Sequence, residues 1–228
     1  MKTTRSPCRN IILALCGVIQ FFVLNAFGLQ WHDEITGLNW TYRISDGVII
    51  GDGSTRAIQP VWGGGLVVPS EIDGKPVKRI AAYAFSECQF TSAEIPNTVV
   101  AIGDYAFQNC TGLTSVTFPE SLTQINESAF RGCTDLTLVA FPASLTTLGW
   151  YTFSGCTSLK SASFSKSTKC KYTGYHTFEG CTALTSVTFS DSQNQISPYT
   201  FKDCTGLTSV TLPEALELMG NYAFELCI

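Results

Sequence analysis

The sequence predicts a solenoid of about seven short turns. A parallel β-sheet forms its concave face, the return segments are irregular or 3₁₀-like, and a β-hairpin caps the N-terminal end. Three observations carry this prediction. Phe85, Phe107, Phe130, Phe153, Phe178, Phe201 and Phe224 recur at intervals of 22, 23, 23, 25, 23 and 23 residues. A cysteine follows each by three positions, as Cys88, Cys110, Cys133, Cys156, Cys181, Cys204 and Cys227. The residue before each Phe is Ala or Thr. A fixed short period means repeated supersecondary units that bury their apolar sides only by stacking.

In chain order, residues 1–28 read as a secretory signal peptide. Lys2, Arg5 and Arg9 give a positive start, Ile11 to Leu24 an apolar stretch, and Ala26-Phe27-Gly28 a small-residue cleavage site. An uncleaved anchor is the alternative, but the apolar run is short for a bilayer. A lipoprotein reading through Cys16 meets Leu15 where a small residue is expected. Cleavage removes three positive charges and takes the net charge from −4 to −7. No basic patch remains, which argues against nucleic acid and anionic membrane surfaces as partners; with the apolar stretch cleaved off, no membrane insertion is expected. Of the 228 residues, 45% are hydrophobic and only 14% charged, so a core can form and the polar surface must come from Ser, Thr, Asn, Gln and Gly.

Residues 29–64 read as the cap. Asn39 to Ser45, Asp46-Gly47 and Val48 to Ile50 make a hairpin, since Asp-Gly favours a two-residue turn. Trp31, Trp40 and Trp62 fit cap core better than a ligand cage. The repeat array occupies residues 65–228. Its first turn starts with a strand at Leu66-Val67-Val68-Pro69 and continues with a looped insertion from Glu71 to Pro76. Val77, Ile80 and Phe85 then rejoin the pattern.

The clearest unit runs from Leu113 to Cys133. Val116 and Phe118 alternate with Ser115 and Thr117, a period of two that marks a strand, and Pro119 ends it. Val116, Val139, Val187 and Val210 form one inward column. Phe118, Phe141, Phe164 and Phe189 form a second, followed by Leu212. The whole pattern is Leu-Thr-x-Val-x-Phe-Pro-x-Ser-Leu-x-x-Ile-x-x-x-Ala-Phe-x-Gly-Cys. It resembles the BspA-like class of leucine-rich repeats, from about Gly65 to the end of the chain. The resemblance implies a leucine-rich-repeat solenoid. It also implies a bacterial or protozoal surface protein that binds host proteins or other cells.

The turn between Phe153 and Phe178 is two residues longer and carries Lys166, Lys169 and Lys171. It reads as a solvated bulge or as a contact for an acidic partner. The last turn is incomplete, because Ile228 follows directly on the Cys227 signature.

Of the ten cysteines, Cys8 and Cys16 leave with the signal peptide. Cys170 lies eight residues before Phe178, as Leu122 lies eight before Phe130, so it also points inward. A buried thiol column is favoured over disulfides, which the even count still allows. Without a Cys-x-x-Cys pair, zinc has little support. No cofactor or metal site is expected. The two histidines, His32 and His176, join no catalytic motif, and His176 reads as an exposed turn residue. Cys170 is the weak nucleophile candidate. The expectation is therefore a protein that is not an enzyme.

That leaves the outward strand positions as the candidate partner-binding face. They are Ser92, Glu94, Ser115, Thr117, Leu138, Ala140, Ser161, Ser163, Ser186, Thr188, Ser209 and Thr211. The row is small, hydroxyl-rich and poor in the Trp, Tyr and Arg that anchor interfaces. It reads either as a protein-contact surface or as plain strand propensity. A glycan is a further ligand class, and a structural fragment without its own ligand is the alternative.

Overall fold

The computed structural model describes residues 11–12, 21–22, 29–32, 39–45, 47–51, 57–59, 64–171 and 173–227. The expected signal peptide lies outside the described residues, apart from the antiparallel pair Ile11–Ile12 and Phe21–Phe22.

The strand-forming third of each turn behaves as its alternation demands. Val116 is buried between exposed Ser115 and Thr117, and Val139 and Phe141 are buried between exposed Leu138 and Ala140. Stacking these strands in register produces two three-stranded parallel sheets. Gly65–Val67, Ser92–Glu94 and Ser115–Thr117 form the first. Leu138–Phe141, Ser161–Phe164 and Ser186–Thr188 form the second. The two abut, joined by the bond from Thr137 N–H to Thr114 O at 3.2 Å.

The seventh rung departs from the sequence reading. Residues 208–213 carry no strand, Leu212 is 40% exposed, and Val210 is only partly buried. An open cleft of about 770 Å³ between Ser186–Asp191 and Thr211–Ala215 separates this segment from the strand it was expected to join. Without ladder bonds to a neighbour, extended residues gain nothing from the strand conformation.

The return path is irregular, but it contains a second parallel ladder. Lys75–Ile80, Ala101–Ile102, Gln124–Ile125 and Thr147–Leu148 pair successively, and Gln195–Ile196 pairs Leu218–Met219. No 3₁₀ helix occurs among the described residues, but single i→i+3 turns recur, as in Cys133 N–H to Phe130 O and Leu136 N–H to Cys133 O, each 3.2 Å. The rung between Thr147–Leu148 and Gln195–Ile196 falls at Tyr172, outside the described residues; next to it, Asn194 N–H and Gln195 N–H bond to Lys171 O at 3.0 and 3.2 Å.

Between the ladders runs the Phe column. Six of its rings, Phe85 through Phe201, have no exposed surface. Successive centroids from Phe85 to Phe224 lie 4.9–5.6 Å apart. That spacing is set by backbones about 4.8 Å apart. The cysteines line the same core, with Cys88 through Cys204 buried and Cys170 only 1% exposed. No disulfide links the eight described cysteines. Instead, the thiol donates to the carbonyl of the preceding turn's Phe. Cys133 to Phe107 O measures 3.2 Å and Cys156 to Phe130 O 3.3 Å.

Each Phe is bracketed by two residues in the left-handed region. Two positions before it sit Tyr83, Tyr105, Ser128, Tyr151, His176, Tyr199 and Tyr222, with φ between 53° and 59°. Two positions after it, Gly132, Gly155 and Gly180 share that conformation with Glu87, Asn109, Asp203 and Leu226. The double reversal turns alternate N–H groups toward the next turn, as in Tyr151 to Tyr175 O at 2.9 Å and Phe153 to Thr177 O at 2.8 Å.

At the N-terminal end, Asn39–Ser45 pairs antiparallel with Gly47–Ile50, which continues in parallel onto Lys75–Ile80. The hairpin thus extends the return ladder. The indole of Trp40 is buried and meets Phe85 edge-on at 6.2 Å, covering the first ring of the column. The side chains of Trp31 and Trp62 lie outside the described residues. The segment from Glu71 to Pro76, read from sequence as a loop, is a second hairpin. Asp73 and Gly74 both have positive φ, the requirement of a type I′ turn.

Candidate interaction surface

The strand face is built by register. Ser92 lies beside Ser115, and Glu94 beside Thr117. Leu138, Ser161 and Ser186 form a second row, and Ala140, Ser163 and Thr188 a third. Glu94, Ser115, Thr117, Leu138, Ala140, Ser186 and Thr188 are exposed, while Ser92, Ser161 and Ser163 are partly so. Leu138, at 52% exposure, is the one large apolar side chain among them. Ser209 and Thr211 are also exposed but belong to no sheet, so ten of the twelve expected positions are brought together.

Hydroxyls just outside this face have a structural use. The Oγ1 of Thr114, Thr137 and Thr185 donates to the backbone carbonyl of the previous turn, at 2.8, 3.2 and 3.3 Å. They satisfy acceptors and hold the turns in step.

Lys166, Lys169 and Lys171 line a shallow depression of about 460 Å³ with Ser167, Thr168, Asp191 and Ser192. Asp191 N–H bonds to Lys166 O at 3.1 Å, so the basic turn is pinned to the next one.

The chemical candidates occupy different surroundings. Cys170 is enclosed in the core. His176 is partly exposed and stacked between Tyr151 and Tyr199, with centroids at 4.5 and 4.6 Å. Its Nδ1 lies 2.9 Å from Glu179 Oε2, and Lys202 Nζ lies 3.5 Å from Glu179 Oε1. Burial raises the thiols of Cys156 and Cys181 well above the ordinary range and pushes Cys204 up to about 12. Such thiols stay protonated at neutral pH and are poor nucleophiles. No cluster of three or more metal-ligating side chains occurs among the described residues.

The sequence reading missed a second exposed feature. His176 belongs to a ring column, with Tyr83 on Tyr105 at 4.9 Å and Tyr199 on Tyr222 at 5.1 Å. Beside it, Trp150 stacks on Tyr175 at 5.3 Å and 13°. The signal lay in the same period as the Phe column: six of the seven residues two before a Phe carry a ring, Ser128 being the exception, and Trp150 and Tyr175 stand three before theirs.

Comparison with known proteins accords with this architecture. The family model for the BspA type leucine rich repeat region matches six copies, over residues 78–205 and 171–228. A leucine rich repeat protein of T. pallidum is 33% identical, with 79% of this chain and 83% of that chain covered and a TM-score of 0.72. A leucine rich cell surface protein from Faecalibacterium prausnitzii is 24% identical with a TM-score of 0.70. The match takes in 98% of this chain but only 53% of that longer one. Pneumococcal vaccine antigen PcpA shares the fold at 18% identity and a TM-score of 0.56, over 90% of this chain and 69% of its own. No curated protein matches the sequence. With the repeat, its register and the family model in agreement, the chain belongs to the BspA-type leucine-rich repeat family.

Proposed function

We propose that the chain is an extracellular or cell-surface interaction module of adhesion type. It binds a host or other cell-surface protein through the strand face and performs no catalysis. Residues 1–28 act as its signal peptide and residues 29–64 as the cap of a repeat array at 65–228. One observation supports the reading above the others: Ser115, Leu138, Ser163 and their neighbours form a broad, nearly uncharged face on a rigid ladder. Repeat solenoids commonly use such faces for protein contacts. No helix among the described residues is long and apolar enough to cross a membrane.

The test is saturable binding of the labelled chain to intact cells and to purified extracellular-matrix proteins. Replacing Ser115, Leu138 and Ser163 together by Arg should abolish binding without lowering the melting temperature. If binding survives, the face is not the site. If no probe binds the parent chain, the structural alternative takes its place.

A further inference from the structure

The Trp150–Tyr175 step on the return path has features that folding alone leaves unexplained. Trp150 is 54% exposed and Tyr175 43% exposed. Their rings are stacked along the solenoid, so one face of Trp150 covers Tyr175 and the other looks toward the preceding turn. Among the described residues, Tyr175 is the sole ring partner of Trp150.

The same position in the two preceding turns is acidic. Glu127 precedes Trp150 by 23 residues and Asp104 precedes Glu127 by 23, both three residues before their Phe. The turns are locked together at this point, by Ser128 N–H to Trp150 O at 2.8 Å and Tyr105 N–H to Glu127 O at 2.9 Å. Asp104 is exposed and Glu127 partly so. Tyr105 Oη donates to Glu127 Oε1 at 3.1 Å, which leaves the carboxylate further acceptor capacity.

The column therefore reads, along the axis, as two carboxylates and then an open indole face. A guanidinium matches both: it stacks flat on an aromatic ring and donates in a fork to a carboxylate. The adjacent column already shows this contact within the chain, because Arg131 lies over the Tyr151 ring at 5.8 Å. Lys202 is engaged elsewhere, by Glu179 and Asp203 at 3.5 and 3.7 Å.

We propose that the Trp150–Tyr175 step, with Glu127 and Asp104 beside it, docks an arginine-bearing basic segment of a partner protein. The site lies on the return path and does not depend on the strand face. A neutral glycan would use the ring face but would leave the two carboxylates without a counter-charge.

The test uses the full chain and defined probes: a hexa-arginine peptide, hexa-lysine, hexa-glutamate and cellohexaose, followed by tryptophan fluorescence and calorimetry. Hexa-arginine should bind saturably and several-fold more tightly than hexa-lysine. The double variant Trp150→Ser/Tyr175→Ser should weaken that binding at least tenfold, and Glu127→Gln/Asp104→Asn by a similar factor. The strand-face variant with Ser115, Leu138 and Ser163 changed to Arg should leave it unaltered. All variants should keep the parent melting temperature within a few degrees, since the altered side chains are largely exposed. Equal affinity after removal of the rings would overturn the proposal, as would binding of cellohexaose or hexa-glutamate in place of hexa-arginine.

Discussion

Phe153→Ala tests whether the ring column is the structural axis of the solenoid. Phe153 is fully buried, stacks on Phe130 at 5.3 Å and on Phe178 at 5.6 Å, and meets Phe141 edge-on at 5.7 Å. Truncating a buried Phe costs about 3–5 kcal/mol, more where the cavity cannot collapse. Here collapse is resisted, because the backbone on both sides is bonded from turn to turn: Phe130 N–H to Thr152 O and Phe153 N–H to Thr177 O, each 2.8 Å. Three ring contacts are lost as well, each worth about 0.5–1.5 kcal/mol beyond area burial, though not additively. The expected loss is about 5 kcal/mol.

Phe224→Ala is the control. Phe224 is only partly buried and, among the described residues, stacks on Phe201 alone, at 5.2 Å. Its truncation should cost about 1–2 kcal/mol. Urea unfolding followed by circular dichroism measures both as falls in midpoint at unchanged slope. The column reading fails if Phe153→Ala costs less than about 2 kcal/mol, or no more than Phe224→Ala.

Three further outcomes follow from other columns. Gln193 is fully buried at the position occupied by Leu122 and Leu145 in earlier turns, and its amide nitrogen and oxygen have no hydrogen-bond partner among the described residues. Gln193→Leu should therefore stabilise the fold by about 1–3 kcal/mol, and a lower urea midpoint would contradict this. A Cβ at Gly149 would lie 2.5 Å from the backbone of Asn126 and Glu127, whereas at Gly155 the nearest atoms are 3.9 Å away. Gly155→Ala should cost about 1 kcal/mol for its φ of 74°; Gly149→Ala should lower the melting temperature several times further. The thiol columns predict alkaline sensitivity. Burial lifts Cys204 from 9.0 to about 12, so the folded chain holds this proton more tightly than the unfolded chain. Stability is full below about pH 9 and is lost as pH rises toward 12, by at most about 1.4 kcal/mol per pH unit for each such thiol. Urea midpoints between pH 7 and 11 measure the slope, and Cys204→Ala should flatten it.

The parts legible in the sequence were those where burial repeats one residue type. Phe and Cys recur because each turn presents the same cavity to its neighbour, and Cys170 could be placed inward by register alone. The return ladder was hidden because strands such as Gln124–Ile125 are too short to show a period of two. The Glu71–Pro76 hairpin was legible in Asp73-Gly74 but was masked by the expectation of a plain insertion. Strand-face positions 92 through 188 followed from alternation. Ser209 and Thr211 did not, since alternation reports which side a residue faces and not whether a neighbouring strand is bonded to it.

The ring columns on the return path divide into two cases. Tyr151, Tyr199 and Tyr222 adopt a backbone conformation that costs an L-residue about 1–2 kcal/mol. Each recovers about 0.5–1.5 kcal/mol by stacking on its neighbour, so the column nearly breaks even in folding, and its stacking accounts for the rings. Trp150 and Tyr175 are not in that conformation and remain about half exposed. A single exposed aromatic needs no explanation, but two stacked ones beside a further column of rings make a contiguous patch. The strand face, by contrast, offers two large apolar side chains, Val67 and Leu138, both aliphatic, and no aromatic among its described positions. In a chain whose charged residues are few, the side chains best suited to anchor a partner therefore sit on the return path, and a binding survey confined to the strand face would leave them untested.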